Sequence, residues 1–288
     1  MKVSCFTFIR NGTMLGYPFI ESILSALPIC DEFIVAVGDS EDNTLSRIRA
    51  IGSDKIRIIS TQWNEKMQDR GFVYAQQKMI AQYNCTGDWA FYLEGDEILH
   101  ESDIHKIRIS MKKHLKNQKV EALAFNYHHF FGSPDFVAIS PAWYRQECRI
   151  IRNTIRSWAP DGLYSVVMDK NKTGRYPRAV LIDASIYHYG HVRSIQAMRK
   201  KNQYVGKYWK HDHSLFNGYQ TNTHQPTVNQ QLKYNELKFP AMNQQSKNGL
   251  VQNQHVPSKM LKSYIATQMI LKAKLESSPS YYQAQMEK

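Results

Sequence analysis

The chain is predicted to fold as an α/β protein on a mostly parallel central sheet flanked by helices. Three features of the sequence predict this. Short apolar segments alternate with helix-forming segments over residues 2–115. Two of the apolar segments, 32–37 (EFIVAV) and 89–93 (WAFYL), are continuous runs that suit strands buried on both faces. Each runs directly into a polar loop, and in open parallel sheets the loops at the carboxyl ends of strands hold the ligand.

The elements follow in order. Residues 2–9 (KVSCFTFI) read as the first strand, with a turn at Arg10-Asn11-Gly12-Thr13. Tyr17-Pro18 opens a helix to Leu27, because proline is tolerated in a first helical turn. After the strand 32–37 comes the loop Gly38-Asp39-Ser40-Glu41-Asp42-Asn43 and a short helix stopped by Gly52. Residues 55–60 (KIRIIS) form a third strand. The pattern is helical from Asp69 to Tyr83, with Phe72, Ala75, Met79, Ile80 and Tyr83 on one face. Gly87-Asp88 turns the chain into the strand 89–93, which meets Glu94-Gly95-Asp96-Glu97, and a helix covers 101–115. Such alternation makes right-handed crossovers around a parallel sheet. Beyond residue 120 strands are expected over 120–131, 147–153, 163–168 and 179–189, then a helix over 194–210. An Asn/Gln-rich excursion over 217–256 and an amphipathic helix over 257–275 close the chain.

The 288 residues suit one large domain with extensions, and 42% hydrophobic content is enough for a core. The net charge of +12 favours an anionic partner. Lys106, Arg108, Lys112, Lys113, Lys116 and Lys119 read as a solvated helix face. Four scattered cysteines without a CxxC pair fit a reducing compartment, and no apolar run reaches membrane-spanning length. The N-terminus reads as a strand and not as a signal peptide. A cytoplasmic location is expected, with peripheral attachment to the inner face of a membrane left open.

Four clusters can carry chemistry. Glu94 and Asp96, two apart in extended chain, aim at one point, which suits a hard divalent cation; the same residues suit an acidic turn capping the next helix. Asp39, Ser40 and Asp42 can bond a ribose or base edge, or cap a helix. His188 and His191 flank Gly190, and Arg193 can meet a phosphate in bidentate fashion. Asp161 in the turn Trp158-Ala159-Pro160-Asp161-Gly162 can face an acceptor hydroxyl as a general base, or serve the turn alone. His128-His129 and His211-Asp212-His213 are expected at the surface.

Together, FTFIRNG at 6–12, ESILSALPICDEFIVAVGDSEDNT at 21–44, GFVYAQQKMIAQYNCTGDWAFYLEGDE at 71–97 and YHYGHVR at 187–193 resemble the family-two glycosyltransferases of the GT-A fold. The resemblance implies a Rossmann-like nucleotide-binding half with a helical or irregular C-terminal extension. It implies a catalytic domain over 1–215, with 1–100 for the nucleotide sugar and 101–215 for the acceptor, a linker over 216–256 and a helix and tail over 257–288. It implies that Thr7, Phe8 and Arg10 line the base pocket, with Asn11, Gln76, Gly95 and Arg193 among the donor contacts and Gly38-Asp39 beside base and ribose. Glu94 and Asp96 stand at the family's metal-binding DxD motif, and His188 or His191 at its late histidine. The implied chemistry is single-displacement inversion with Mn²⁺ or Mg²⁺, Asp161 as base and Glu147 in reserve. The implied donor is a nucleoside diphosphate sugar, UDP-linked by preference; the acceptor is a carbohydrate or glycolipid.

Two rivals are set against this. A nucleotidyltransferase would need a glycine-rich phosphate loop, and Arg10-Asn11-Gly12 offers one glycine. A nucleic-acid-binding or membrane-peripheral scaffold would use the basic aromatic segment Arg199, Lys200, Lys201, Tyr204, Lys207, Tyr208, Trp209 and Lys210. Nucleic acid is the less favoured partner.

Overall fold

The computed structural model describes residues 1–139, 143–170 and 173–209, and three short strands beyond them, Gln231–Lys233, Lys238–Pro240 and Asn253–His255. The rest of the Asn/Gln-rich stretch, the predicted helix over 257–275, Lys210 and His211-Asp212-His213 lie outside the described residues.

The expected α/β class holds. Strands β1 (Val3–Ile9), β2 (Glu32–Gly38), β3 (Ile56–Thr61) and β4 (Trp89–Tyr92) lie in the order β3-β2-β1-β4, all parallel. Helices α1 (Phe19–Ala26), α2 (Thr44–Arg49) and α3 (Phe72–Tyr83) connect them. Alternate strand residues feed opposite faces. Val3, Cys5, Phe33 and Phe91 pack with Phe19 and Ile23 of α1; Phe6, Ile34, Ala90 and Tyr92 pack with Ala81 of α3.

Past β4 the sheet becomes mixed. Strand β5 (Glu97–Leu99) and helix α4 (Glu101–His114) come next, then β6 (Ala122–Phe131), β7 (Ser133–Ala138) and β8 (Gln146–Arg152). β8 lies antiparallel between β4 and β6, and β7 folds back on β6. A small separate sheet holds β9 (Ser157–Trp158), β10 (Val166–Met168) and β11 (Gly174–Arg175). The long β12 (Ala179–His191) pairs parallel with β6 and antiparallel with β5, and α5 (Ile195–Gly206) follows it. No helix among the described residues is long and apolar enough to cross a membrane.

Two local expectations are corrected. The third helix starts at Phe72 and not near Asp69, because Arg70 and Gly71 have left-handed backbones (φ 43° and 69°). Its inward face is also different. Val73, Ala75, Gln77, Lys78, Ala81 and Gln82 are buried, while Phe72 and Tyr83 are 39% and 69% exposed. Lys78 Nζ reaches the Leu163 and Tyr164 carbonyls and Gln82 Nε2 donates to Ser157, while Gln77 Oε1 and Gln82 Oε1 are enclosed without a hydrogen-bond partner. A face built on buried polar side chains is invisible to a hydrophobic pattern.

Arg152 at the end of β8 ties that strand to the end of α4 and the turn after it. Its guanidinium donates to the carbonyls of His114, Leu115, Asn117 and Val120, at 2.9–3.2 Å, and lies 4.6 Å from the Trp89 ring. These carbonyls belong to the open end of α4 and the turn after it, which have no intrahelical donors. Arg152→Met should destabilise the chain by about 2 kcal/mol, read from urea unfolding, because it strands the buried Val120 carbonyl and removes a donor from three more.

Candidate active site

The carboxyl ends of β1, β2 and β4 open on one edge of the sheet, and the chain leaving β4 turns there through Glu94-Gly95-Asp96. The register of β12 sets His188 opposite Glu97, and the Tyr189 N–H donates to the Asp96 carbonyl at 2.8 Å. One ligand atom each from Glu94, Asp96 and His188 then lie within 4.8 Å of one another. His188 Nε2 stands 3.7 Å from Asp96 Oδ1. Gly190 keeps this space open: a Cβ there would sit 2.5 Å from His188 Nε2 and 3.4 Å from Asp96 Oδ2.

Each of these groups is fixed by one atom and presents another. Asp96 Oδ2 accepts from Arg193 and from Lys201 Nζ at 3.4 Å. Burial would raise the Asp96 carboxyl, but Lys201, His188 and Arg193 hold it well below the usual range. Arg193 is itself tethered to the Leu15 carbonyl (2.8 Å) and the Gly190 carbonyl (3.1 Å) and lies 4.0 Å over the Tyr17 ring. Glu94 Oε1 accepts from Arg149 at 2.8 Å. Burial and the neighbouring Glu97 push Glu94 up to about 8 in spite of Arg149. Glu97 is fully buried and takes Arg149 at 2.7 Å, the Tyr127 hydroxyl at 2.9 Å and the Glu94 N–H at 3.1 Å. Burial opposes its charge, and Arg149 overrides that and lowers it. His188 is lowered, burial outweighing Asp96 and Glu97.

A cavity of about 280 Å³ lies over the cluster. Phe8, Trp63, Tyr74 and Trp209 make an aromatic wall, with Trp63 and Tyr74 edge-to-face at 5.0 Å. Arg10 and Lys201 supply positive charge, and Tyr144, Gly162 and Leu163 close the far side. Gly38 lets the wall approach: a Cβ there would meet Trp63 Nε1 at 2.5 Å. The Arg10 Nε–H donates to the Asp39 carbonyl at 2.8 Å.

Of the residues singled out from sequence, Phe8, Arg10, Glu94, Gly95, Asp96 and His188 line the cavity. Thr7 is buried in β1. Asn11, left-handed at φ 53°, ties the loop after β1 to Ser40 and Glu41. Gln76 is half-buried on α3 and Asp39 is exposed, neither among the lining residues. Arg193 stands behind Asp96 and off the wall. His191 stacks on Phe131 at 5.3 Å and meets Trp143 edge-on, and burial first, then Lys201 and His188, takes it down to about 3. Asp161 accepts from the Leu163 N–H at 2.9 Å, so its turn brings Gly162 and Leu163 to the cavity while its own carboxylate stays off the lining. Glu147 is half-buried on β8 and accepts from the Cys148 N–H at 2.7 Å.

Two expectations change here. His128 and His129 are not at the surface; they are 7% and 2% exposed, because β6 is enclosed by β7, β8 and β12. His129 Nδ1 lies 2.8 Å from His188 Nδ1. The basic aromatic segment is not an outward platform either: Lys201, Tyr204 and Trp209 line the cavity and Tyr208 is fully buried, while Arg199 and Lys200 remain exposed. Arg149 and Trp63 had no assigned role from sequence, Lys201 only one in the basic aromatic segment, and His129 was expected at the surface. Arg149 alone had a usable signal, a cation set in the apolar strand ahead of Ile150-Ile151.

Loop 62–71 and the end of α5 are clasped together over the aromatic wall. Glu65 accepts from Arg10, from Lys207 Nζ at 2.6 Å and from the Tyr208 hydroxyl at 2.7 Å. Burial would raise its carboxyl, but Lys207, Arg10 and Tyr208 pull it from 4.5 down to about 2. A carboxylate with a depressed folded value stabilises above its ordinary range and loses that contribution as pH falls through the folded value. Tryptophan emission from Trp63 and Trp209 should therefore shift between pH 4.5 and 2 in the wild type. Glu65→Gln should lack that step.

No family model matches the chain, and no curated protein does. Among solved structures it is similar to S. aureus TarS 1–349, 11% identical over 78% of this chain and 76% of that one, with a TM-score of 0.40. The same protein with UDP-GlcNAc gives 12% identity, 77% and 71% coverage and a TM-score of 0.37. Glucosyl-3-phosphoglycerate synthase from Mycobacterium tuberculosis, in complex with Mn²⁺, UDP and phosphoglyceric acid, gives 19% identity over 44% of this chain and 43% of that one, with a TM-score of 0.29. At these TM-scores the likeness carries no argument about activity, and the site itself must carry it.

Proposed function

We propose that this chain is a glycosyltransferase that holds a nucleoside diphosphate sugar across the carboxyl ends of β1, β2 and β4 and passes the sugar to a hydroxyl acceptor. One observation carries the reading: Glu94, Asp96 and His188 converge on the floor of a cavity whose wall is aromatic and whose remaining polar lining includes Arg10 and Lys201. Aromatic rings suit a base, the cations suit phosphates, and a mixed carboxylate and imidazole set suits a divalent ion.

The residues fit Mn²⁺ or Mg²⁺. The donor atoms are close enough to share one ion, and Gly190 leaves room that any side chain would fill. A bound cation of this kind neutralises charge on a departing diphosphate. Arg193 and Lys201 orient Asp96 through Oδ2 and leave Oδ1 toward His188. Arg149 does the same for Glu94 through Oε1. Lys201 and Arg10 lie where a diphosphate would bring its negative charge. Phe8, Trp63 and Tyr74 exclude water from the base side.

Transfer with inversion needs a carboxylate on the acceptor side to take the hydroxyl proton. Asp161, next to the lining residues Gly162 and Leu163, is the proposed base, with Glu147 behind it. A UDP-linked donor and a carbohydrate or glycolipid acceptor are the proposed substrates.

Thermal unfolding against a panel of nucleoside diphosphates, with and without Mn²⁺, tests the reading. A nucleotide at 100 times its dissociation constant should add about 2.7 kcal/mol of stability. That gain should need the metal and should vanish in Gly190→Ala, whose new methyl strikes the His188 ring. Absence of any nucleotide effect on the wild type would count against a donor site.

A further inference from the structure

His129 and His188 meet ring to ring, with their Nδ1 atoms 2.8 Å apart. His129 Nε2 lies 2.9 Å from the Tyr144 carbonyl. A carbonyl can only accept, so the proton in that bond belongs to His129 Nε2. A neutral imidazole has one N–H, so His129 Nδ1 is then a bare lone pair. The 2.8 Å contact from that lone pair to His188 Nδ1 needs one proton, and only His188 can supply it. His188 therefore carries its first proton on Nδ1, and in the neutral ring Nε2 is the lone pair. Nε2 is the atom 3.7 Å from Asp96 Oδ1, too far for a hydrogen bond between them. Two electron-rich atoms are thus held facing each other across a gap, an arrangement that a cation between them relieves.

We infer that His129 is a positioning residue that, held by the Tyr144 carbonyl, fixes His188 in the tautomer whose Nε2 lone pair points at the Glu94–Asp96 pair. The inference rests on the metal-dependent reading above and adds a residue to it. Metal-ligating histidines are commonly oriented by whatever accepts their second N–H, usually a carbonyl or carboxylate. Here a second imidazole fills that role. Its burial and its packing edge-on to Tyr144 at 4.5 Å leave the ring little freedom to turn.

Nitrogen-15 NMR of histidine-labelled, metal-free protein reads the tautomer directly, independently of turnover. The wild type should show His188 protonated at Nδ1 and bare at Nε2; a protonated Nε2 in the neutral ring would overturn the inference. Mn²⁺ uptake, followed by loss of the free-ion paramagnetic resonance signal, gives the second readout. His129→Phe keeps an aromatic ring but removes the acceptor, and it should weaken Mn²⁺ binding about 10- to 100-fold. His129→Asn restores an acceptor oxygen and should recover part of that loss. Equal Mn²⁺ affinity in wild type and both variants would overturn the role of His129 while leaving the metal site standing. Failure of the wild type to take up Mn²⁺ would remove both, and the NMR spectrum of the wild type decides the tautomer even if a variant fails to fold.

Discussion

The site depends on one buried cation, Arg149. Its guanidinium lies 5.4 Å from the ring centres of both Tyr92 and Tyr127, is fully enclosed, and donates to Glu94, Glu97 and the Leu163 carbonyl. Those partners come from the chain after β4 and from the turn that bounds the cavity. Two carboxylates three residues apart, Glu97 fully enclosed and Glu94 partly so, repel each other and lose hydration; a single planar cation between them overrides both penalties at Glu97 and offsets only part of them at Glu94. The arrangement is a weak source of net stability, because desolvating three charges offsets much of their attraction. Its contribution is geometric. It leaves Glu97 ionised as a fixed prop and Glu94 near the cavity floor. Lys78 approaches the same Leu163 carbonyl at 3.4 Å, and burial together with Arg149 takes its ammonium down to about 7. The turn carrying Gly162 and Leu163 is therefore gripped from two sides.

Charge in the cavity is arranged in pairs before any ligand arrives. Asp96 is matched by Arg193 and Lys201, Glu97 by Arg149, and Glu65 by Arg10 and Lys207. Arg193 and Arg149 are side chains with essentially no exposure, so their pairings are fixed. Lys201 is 19% exposed and Arg10 12%, so these two can exchange a carboxylate partner for an incoming anion. Fixed cations orient the carboxylates and adjustable cations meet the ligand, which is the division that electrostatic preorganisation requires.

Much of the fold was legible because it is written in local pattern. EFIVAV and WAFYL became central strands since only strands buried on both faces tolerate such runs. Glu94 and Asp96 were legible because they are adjacent in the chain and follow a strand. His188 was found with His191, and the β12 register, which sequence does not reveal, separates the two. Arg149, His129 and Lys201 were missed for a common reason. Each meets a site carboxylate or His188 across a long stretch of chain, as in the Arg149–Glu97, His129–His188 and Lys201–Asp96 pairs with separations of 52, 59 and 105. The inward face of α3 was misread because Gln77, Lys78 and Gln82 are buried polar residues, and hydrophobic periodicity counts such residues as outward.

The two sides of the cavity are held by different combinations of forces. The floor rests on β1, β2 and β4, whose core residues Cys5, Phe33, Val35 and Phe91 have no exposure. Opening it would expose the central sheet, at a cost comparable to global unfolding. The aromatic wall formed by Trp63 and Trp209 is held instead by the polar clasp at Glu65, 45% exposed, and by the Gly71 N–H donating to the Tyr208 carbonyl at 2.7 Å. Tyr208, fully buried, adds edge-on packing against Trp63 at 5.7 Å and Tyr74 at 5.6 Å. Gly71 also permits the fit, since a Cβ there would meet the Trp209 ring at 2.5 Å. Parting loop 62–71 from the end of α5 would therefore break the polar clasp and uncover the Tyr208 ring, whereas Glu94 and Asp96 follow directly on the buried strand β4 and stay tied to the central sheet.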